Sequence, residues 1–220
     1  MRAAKTPIQA VVFDVEGTLV DCANQVIESW RLTLQESGYE FSAGGLHRYS
    51  GMDTDDMLGV ILPDPTKEEK DALKRAHDER YKRDYLPLVV AFPDVRFVLE
   101  GLRQAGFRLG IATTCSSDEL SVYFDLTGIR ELVGAIACGD DKCPGKPHPD
   151  LFKLVLGRLG ARKSAIAVGD TPYDAIAAAR AGIPTIGTLG GGFPISELED
   201  SGCRAVIARL SELTKLLVPA

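Results

Sequence analysis

Short runs of Val, Ile and Ala recur along the chain at 9–13, 107–113, 135–138, 165–168, 185–188 and 205–207. Runs this short and this apolar predict buried strands. Between them the spacing of apolar positions turns helical over 94–104, 118–127, 149–159 and 173–181, the last closed by the stop residues Gly182 and Pro184. Strand and helix alternating in this way predict a doubly wound α/β core, a parallel sheet with right-handed crossovers and helices on both faces.

Residues 21–91 break that alternation. Val26, Trp30 and Leu34 make one helical stripe with Ile27 beside it, Met52, Met57, Leu58 and Ile61 a second, and 67–85 reads as one charged helix with Leu73, His77 and Tyr81 along one side. The charge run reads as a solvated face and His77 as a filler. No strand is predicted in this segment, which reads as a helical domain, 21–91, inserted into a core made of 1–20 and 92–220.

Composition narrows the classes of function. At 220 residues, with 45% hydrophobic and 25% charged residues, the chain is an ordinary globular protein rather than a disordered or fibrous one. The net charge of −6 offers no basic field for nucleic acid or an anionic membrane. The first apolar run is cut by Asp14 and Glu16, so no export signal or membrane span is expected. Five cysteines, an odd number without paired zinc-ligand spacing, suit reduced thiols in the cytoplasm.

The candidate chemistry sits where strands end. Asp14-Val15-Glu16-Gly17-Thr18 follows the first strand, and parallel sheets bind ligands at their carboxyl edge. By itself this is equally an acidic loop with Asp21 capping the next helix. The other strand ends decide between the two: Thr113-Thr114 offers hydroxyl and amide donors, Lys146 stands on a proline-stiffened loop, and Gly169-Asp170-Thr171-Pro172-Tyr173-Asp174 brings two more carboxylates. Acids for a hard cation, a lysine and hydroxyls for a phosphate, and an aspartate free to attack make a phosphoryl-transfer site. Residues 139–146 miss P-loop spacing, and Pro147 stands where its Ser or Thr would be. Gly190-Gly191-Gly192 reads as a flexible edge loop, His47 and Arg48 as solvated, and Cys115 as a packing thiol.

Four motifs in this order resemble the haloacid dehalogenase-like hydrolases: Asp14 to Thr18, Thr113, Lys146, and Asp170 to Asp174, with the helical insertion where one subclass carries a cap. The resemblance implies a Mg²⁺-dependent phosphatase acting on a small phosphorylated metabolite. Asp14 would attack phosphorus. Mg²⁺ would be held by Asp14, the Glu16 carbonyl and Asp170. Thr113, the Thr114 amide and Lys146 would hold phosphoryl oxygens, and Asp174 would support the metal or Lys146. Glu16 stands in place of the family's second Asp, the acid and base of the reaction. A glutamate is longer by one bond, ~1.5 Å, so the backbone must shift or the role is impaired. A weakly catalytic binder of a phosphorylated metabolite is therefore one alternative. A phosphomutase is another, although Val26 stands about where its histidine would be. Residues 49–53 resemble the substrate-facing loop of phosphoglycolate phosphatases and β-phosphoglucomutases.

Overall fold

The structure, a computed structural model, describes residues 8–162 and 164–218. Its core is a parallel six-stranded sheet in the order β5-β4-β1-β6-β7-β8, formed by β1 (Ala10–Phe13), β4 (Arg108–Ala112), β5 (Ala135–Ala137), β6 (Ala165–Gly169), β7 (Thr185–Thr188) and β8 (Cys203–Ile207). Strand order reverses at β1, which lies between β4 and β6. That is the switch point at which open α/β sheets bind ligands.

Alternation along β1 divides the core. Val11 and Phe13 face a large-residue layer shared with α5 (Val95–Gln104), α6 (Ser117–Thr127) and α10 (Glu212–Leu217). Ala10 and Val12 face an alanine-rich layer under α7 (Asp150–Leu159) and α8 (Pro172–Arg180). Small residues there let the helices approach the sheet closely, so that a Cβ on Gly110 would stand 2.4 Å from a Val155 methyl. A short α9 (Ile195–Asp200) packs on β8. All five cysteines are free, and no helix among the described residues is long and apolar enough to cross a membrane.

Between β1 and β4 the chain leaves and re-enters through a two-residue antiparallel ribbon, β2 (Val20–Asp21) against β3 (Val90–Ala91). The segment is thus not free of strand, as its pattern suggests; pairs this short leave no periodic trace. Inside it lie α1 (Ala23–Glu36), α2 (Ala43–His47), α3 (Thr54–Ile61) and α4 (Lys67–Arg80). Asp21 does not cap α1: Cys22 holds that position and no side chain bonds there. The single charged helix expected over 67–85 stops at Arg80 and passes into a π-helical turn, Tyr81–Tyr85. Ile27, Trp30, Leu34, Met57, Leu58 and Leu73 form a hydrophobic cluster of their own, apart from both core layers.

Candidate active site

Four neighbouring strands each deliver one group to the same edge. Parallel register pairs Phe13 with Ile111 on β4 and Val168 on β6. Asp14, Thr113 and Asp170 therefore emerge together just past the strand ends, and Asp14 N–H still donates to Val168 O at 2.9 Å. The loop after β5 brings in Lys146, which is 1% exposed. Its ammonium contacts Asp14 Oδ1 and lies 2.6 Å from Asp174 Oδ1. Asp174 is fixed from its other side, where Oδ2 accepts from Thr171 N (3.1 Å) and Oγ1 (2.7 Å), the capping box that starts α8. Glycine is required at 169, since a Cβ there would lie 2.4 Å from Asp174 Cγ.

Electrostatics show what this cluster lacks. Asp14, Asp170 and Asp174 are buried with carboxylate oxygens within 4.8 Å of one another, against one lysine. Burial, and behind it the neighbouring Asp174, pushes Asp14 up to about 6 despite the opposing pull of Lys146. Asp170 is raised well above the usual carboxylate range by burial and by Asp14 and Asp174. Burial alone would lower Lys146, but attraction to Asp14 and Asp174 more than offsets it and keeps the ammonium charged. The set is short of positive charge, and carboxylates crowded this way suit a hard divalent cation. The cradle is also cut to size. Thr18 Oγ1 donates to Asp170 Oδ1 at 2.8 Å, and a Cβ on Gly17 or Gly191 would stand 2.2 or 2.0 Å from Asp170 Oδ2. Gly190 and Gly191 thus do not form the loose edge loop expected of three glycines. Gly191 presses on Asp170, and its carbonyl lies 2.6 Å from His47 Nε2, so His47 is a contact between the helical segment and the core rather than a solvated side chain.

Glu16 belongs to a second network. Tyr123 OH lies 3.0 Å from Glu16 Oε1 and 2.7 Å from Tyr81 OH, linking α6 and the π-helical turn. Burial holds both phenols well above their usual range, so they remain proton donors. Glu119 closes the capping box of α6 by accepting from Ser116 N at 2.8 Å and Oγ at 2.7 Å. Burial, then Glu119, then Asp14 push Glu16 up to about 8. The extra bond of glutamate is accommodated by Tyr123, which no local pattern around Glu16 announces. Ser116-x-x-Glu119 is legible as a capping box, and Thr18 as part of its motif. Thr113 is fully buried with Oγ1 3.3 Å from Cys115 N, and Thr114 begins the approach to the N-terminus of α6. That helix end favours an anion.

The helical segment is docked on this edge. Asp53 caps α3 through Oδ1, accepts from Gly145 N with Oδ2 at 2.7 Å, and donates its own N–H to Lys146 O at 2.6 Å. His148 Nε2 lies 2.9 Å from Asp56 Oδ2. Asp53→Ala removes a helix cap and the tie to the lysine loop together. We expect KM to rise by about three- to tenfold with kcat changed less than threefold, because a cap contributes roughly 1 kcal/mol and the contact orders a docked state rather than the chemistry. Steady-state kinetics check this; an unchanged KM refutes the role of Asp53 in docking.

Between segment and core lies a cavity of about 100 Å³, lined by Glu16, Thr114 and Cys115 below and by Trp30, Met52 and His77 above. A larger cleft of about 400 Å³, behind the Gly17-Thr18 turn, is lined by Phe92 and Arg209 but by none of Asp14, Glu16 and Lys146, whereas the smaller cavity reaches Glu16 and adjoins another of about 250 Å³ that shares Thr114 and Glu119 with it and is lined also by Gly145 and Lys74.

A parallel sheet whose strand order reverses at β1, with acids gathered at its carboxyl edge beneath a helical insertion, defines a class, the doubly wound α/β proteins that bind their ligands at the strand ends. This chain belongs to the haloacid dehalogenase-like hydrolase family, which matches residues 11–188. It is an enzyme, a hydrolase. It is 30% identical over 179 residues to the pyrophosphatase PpaX of Oceanobacillus iheyensis, covering 81% of this chain and 82% of that one. It is 28% identical to a phosphoglycolate phosphatase of Aquifex aeolicus, over 96% of this chain and 97% of that one. A hydrolase from Pseudomonas syringae superposes with a TM-score of 0.88 at 28% identity, over 95% of this chain and 97% of that one.

Proposed function

We propose that this phosphatase hydrolyses a small phosphate monoester with Mg²⁺ bound, through a phosphoryl group carried on Asp14. One observation carries the reading: three buried carboxylates, Asp14, Asp170 and Asp174, gather round Lys146 at one strand edge while Glu16 is held apart on Tyr123, and burial raises Asp14 to about 6 and Glu16 to about 8. At pH 7 one is an anion able to attack and the other an acid able to give a proton, the division of labour that acid–base catalysis needs. The relatives named as phosphatases support the same class of reaction.

Residues 21–91 serve as the cap and 1–20 with 92–220 as the catalytic core. Lys146 spends two of its three N–H donors on Asp14 and Asp174 and has the third for a phosphoryl oxygen. Thr113 and the Thr114 amide at the end of α6 meet the others. Asp14 attacks phosphorus, the P–O bond to the leaving group breaks, and Glu16 gives its proton to the departing oxygen. Water then attacks the phosphoryl group on Asp14, Glu16 takes its proton, and free phosphate and Asp14 are restored. Asp14, Asp170 and the Glu16 carbonyl would hold Mg²⁺, which supplies the positive charge the cluster lacks. Asp174 positions Lys146.

The test is release of inorganic phosphate from p-nitrophenyl phosphate with Mg²⁺, lost with a chelator and restored by excess metal. Asp170→Ala should weaken Mg²⁺ binding by at least about tenfold, since even groups behind the ligands are worth that much. An unchanged Mg²⁺ affinity by calorimetric titration overturns the metal assignment.

A further inference from the structure

The cavity beside Glu16 has an apolar stretch of wall on its cap side, made by Ile27, Trp30, Leu46, Met52 and Met57, next to the polar Tyr49, Ser50 and Thr54. Its charged lining is acidic: Glu16, Asp78 and Glu119 border it, and among the described residues no lysine or arginine does. His77 also lines it and is 7% exposed. The imidazole stacks on Trp30, with centroids 3.9 Å and planes 9° apart, and lies 5.9 Å from the Tyr81 ring. Nδ1 lies 3.4 Å from Asp78 Oδ1, whereas Nε2 is buried without any hydrogen-bond partner. An unpaired polar nitrogen at such a depth is unusual in a folded protein, and a group on a bound ligand would supply what it lacks.

A leaving group with its own carboxylate or phosphate would meet no cation in this lining and the two acidic side chains Asp78 and Glu119, while Glu16 holds its proton. A buried charge without a partner is strongly disfavoured, and like charges nearby add to the penalty. An uncharged carbon body suits the wall of aromatic rings and methionines, which adapt to irregular apolar shapes. The volume, about 100 Å³, is below the ~150 Å³ of an apolar cavity that holds benzene.

We infer, taking phosphomonoester hydrolysis at Asp14 as the reaction, that the substrate is the phosphate ester of a small uncharged alcohol. Its carbon chain lies against the Trp30–His77 stack and a hydroxyl on it meets His77 Nε2. A hydroxyl both gives and accepts a hydrogen bond, so it serves either imidazole tautomer. The specificity so defined excludes phosphoglycolate and pyrophosphate, the substrates in the names of two relatives.

The experiment compares 3-hydroxypropyl phosphate, propyl phosphate, 2-phosphoglycolate and pyrophosphate on the Mg²⁺-loaded enzyme. We expect kcat/KM for 3-hydroxypropyl phosphate to exceed that for either anionic substrate by at least about tenfold, the ratio that one unfavourable contact produces. His77→Phe keeps a ring in the stack and should bring 3-hydroxypropyl phosphate down to the level of propyl phosphate. Trp30 is the only tryptophan, so binding of the same four compounds to Asp14→Asn can be followed by its fluorescence without turnover. The same order of affinities is expected. Equal or better turnover and binding of phosphoglycolate or pyrophosphate overturns the substrate class and leaves the phosphatase reading standing. Release of phosphate from no ester, p-nitrophenyl phosphate included, overturns the phosphatase reading, and the fluorescence order then still decides what the cavity prefers. An unchanged ratio between hydroxypropyl and propyl phosphate in His77→Phe refutes the contact with His77.

Discussion

Asp14→Asn should lower kcat for every phosphate monoester by at least about 10⁴-fold, because a carboxamide cannot attack phosphorus and, on the proposed mechanism, no neighbouring group replaces it. Asp174 is committed to Lys146 and Thr171, and Asp170 to Thr18, so neither can take over. The fold should survive. Asp14 is raised from 3.8 to about 6 in the metal-free protein, so the folded state holds a proton there that the unfolded chain has released. Where the folded state binds more protons, stability falls as pH rises, here between about 4 and 6. The ionised side chain therefore weakens the metal-free fold at pH 7, and an amide removes that weakening. The expected result is an inactive variant whose metal-free melting temperature at pH 7 is equal to or above that of wild type. A kcat above about 1% of wild type, set against the expected 10⁴-fold loss, removes Asp14 as the nucleophile.

What the chain discloses without coordinates follows from where polar residues fall relative to apolar runs. Asp14, Thr113 and Asp170 each end such a run, and parallel register does the rest: strand ends that are separate in sequence become one edge. Lys146 is legible because a charge between prolines has few places to go. Tyr123 is not, being 107 positions from Glu16 on a helix whose other buried residues look like core. Nor are Gly190 and Gly191, whose small size matters only because Gly17 and Asp170 press against them from distant strands. Elements too short for a period were equally hidden, among them α2, β2 and β3. The π-helical turn leaves no trace in the sequence because Leu73, His77 and Tyr81 keep a spacing of four straight through the point where α4 ends. His77 looks like amphipathic filler in that stripe. Its unpaired nitrogen emerges only once Trp30 and Tyr81 close on either side of it.

Glu16→Gln should separate the two half-reactions of the proposed mechanism. The amide has no carboxyl proton to give and no basic oxygen to take one, so both protonation of the leaving group and activation of water are lost. p-Nitrophenolate departs with little help, so phosphorylation of Asp14 is partly spared while hydrolysis of the phosphoryl-enzyme is slowed. We expect a burst of p-nitrophenol near one equivalent per active site and then a steady rate lower by about 10²–10⁴-fold, the usual worth of a general acid–base group. For an alkyl phosphate the first step fails too, so no burst appears and kcat/KM falls more than it does for the aryl ester. In the wild type, kcat/KM on alkyl phosphates should decline above about pH 8 as Glu16 loses its proton. Stability supplies an independent check. Glu16 is raised from 4.5 to about 8, chiefly by burial, so the metal-free fold loses stability as pH rises through that interval. Gln carries no such cost, and the variant should melt above wild type at pH 8.5 by at least about 2–4 °C, the shift that ~1 kcal/mol produces in a domain of this size. The gap should close near pH 4.5, where Glu16 is protonated in the folded state and half-protonated in the unfolded chain. Equal losses on aryl and alkyl esters would show that Glu16 is not the acid, and a melting difference independent of pH would show that its raised pKa is not what burial imposes.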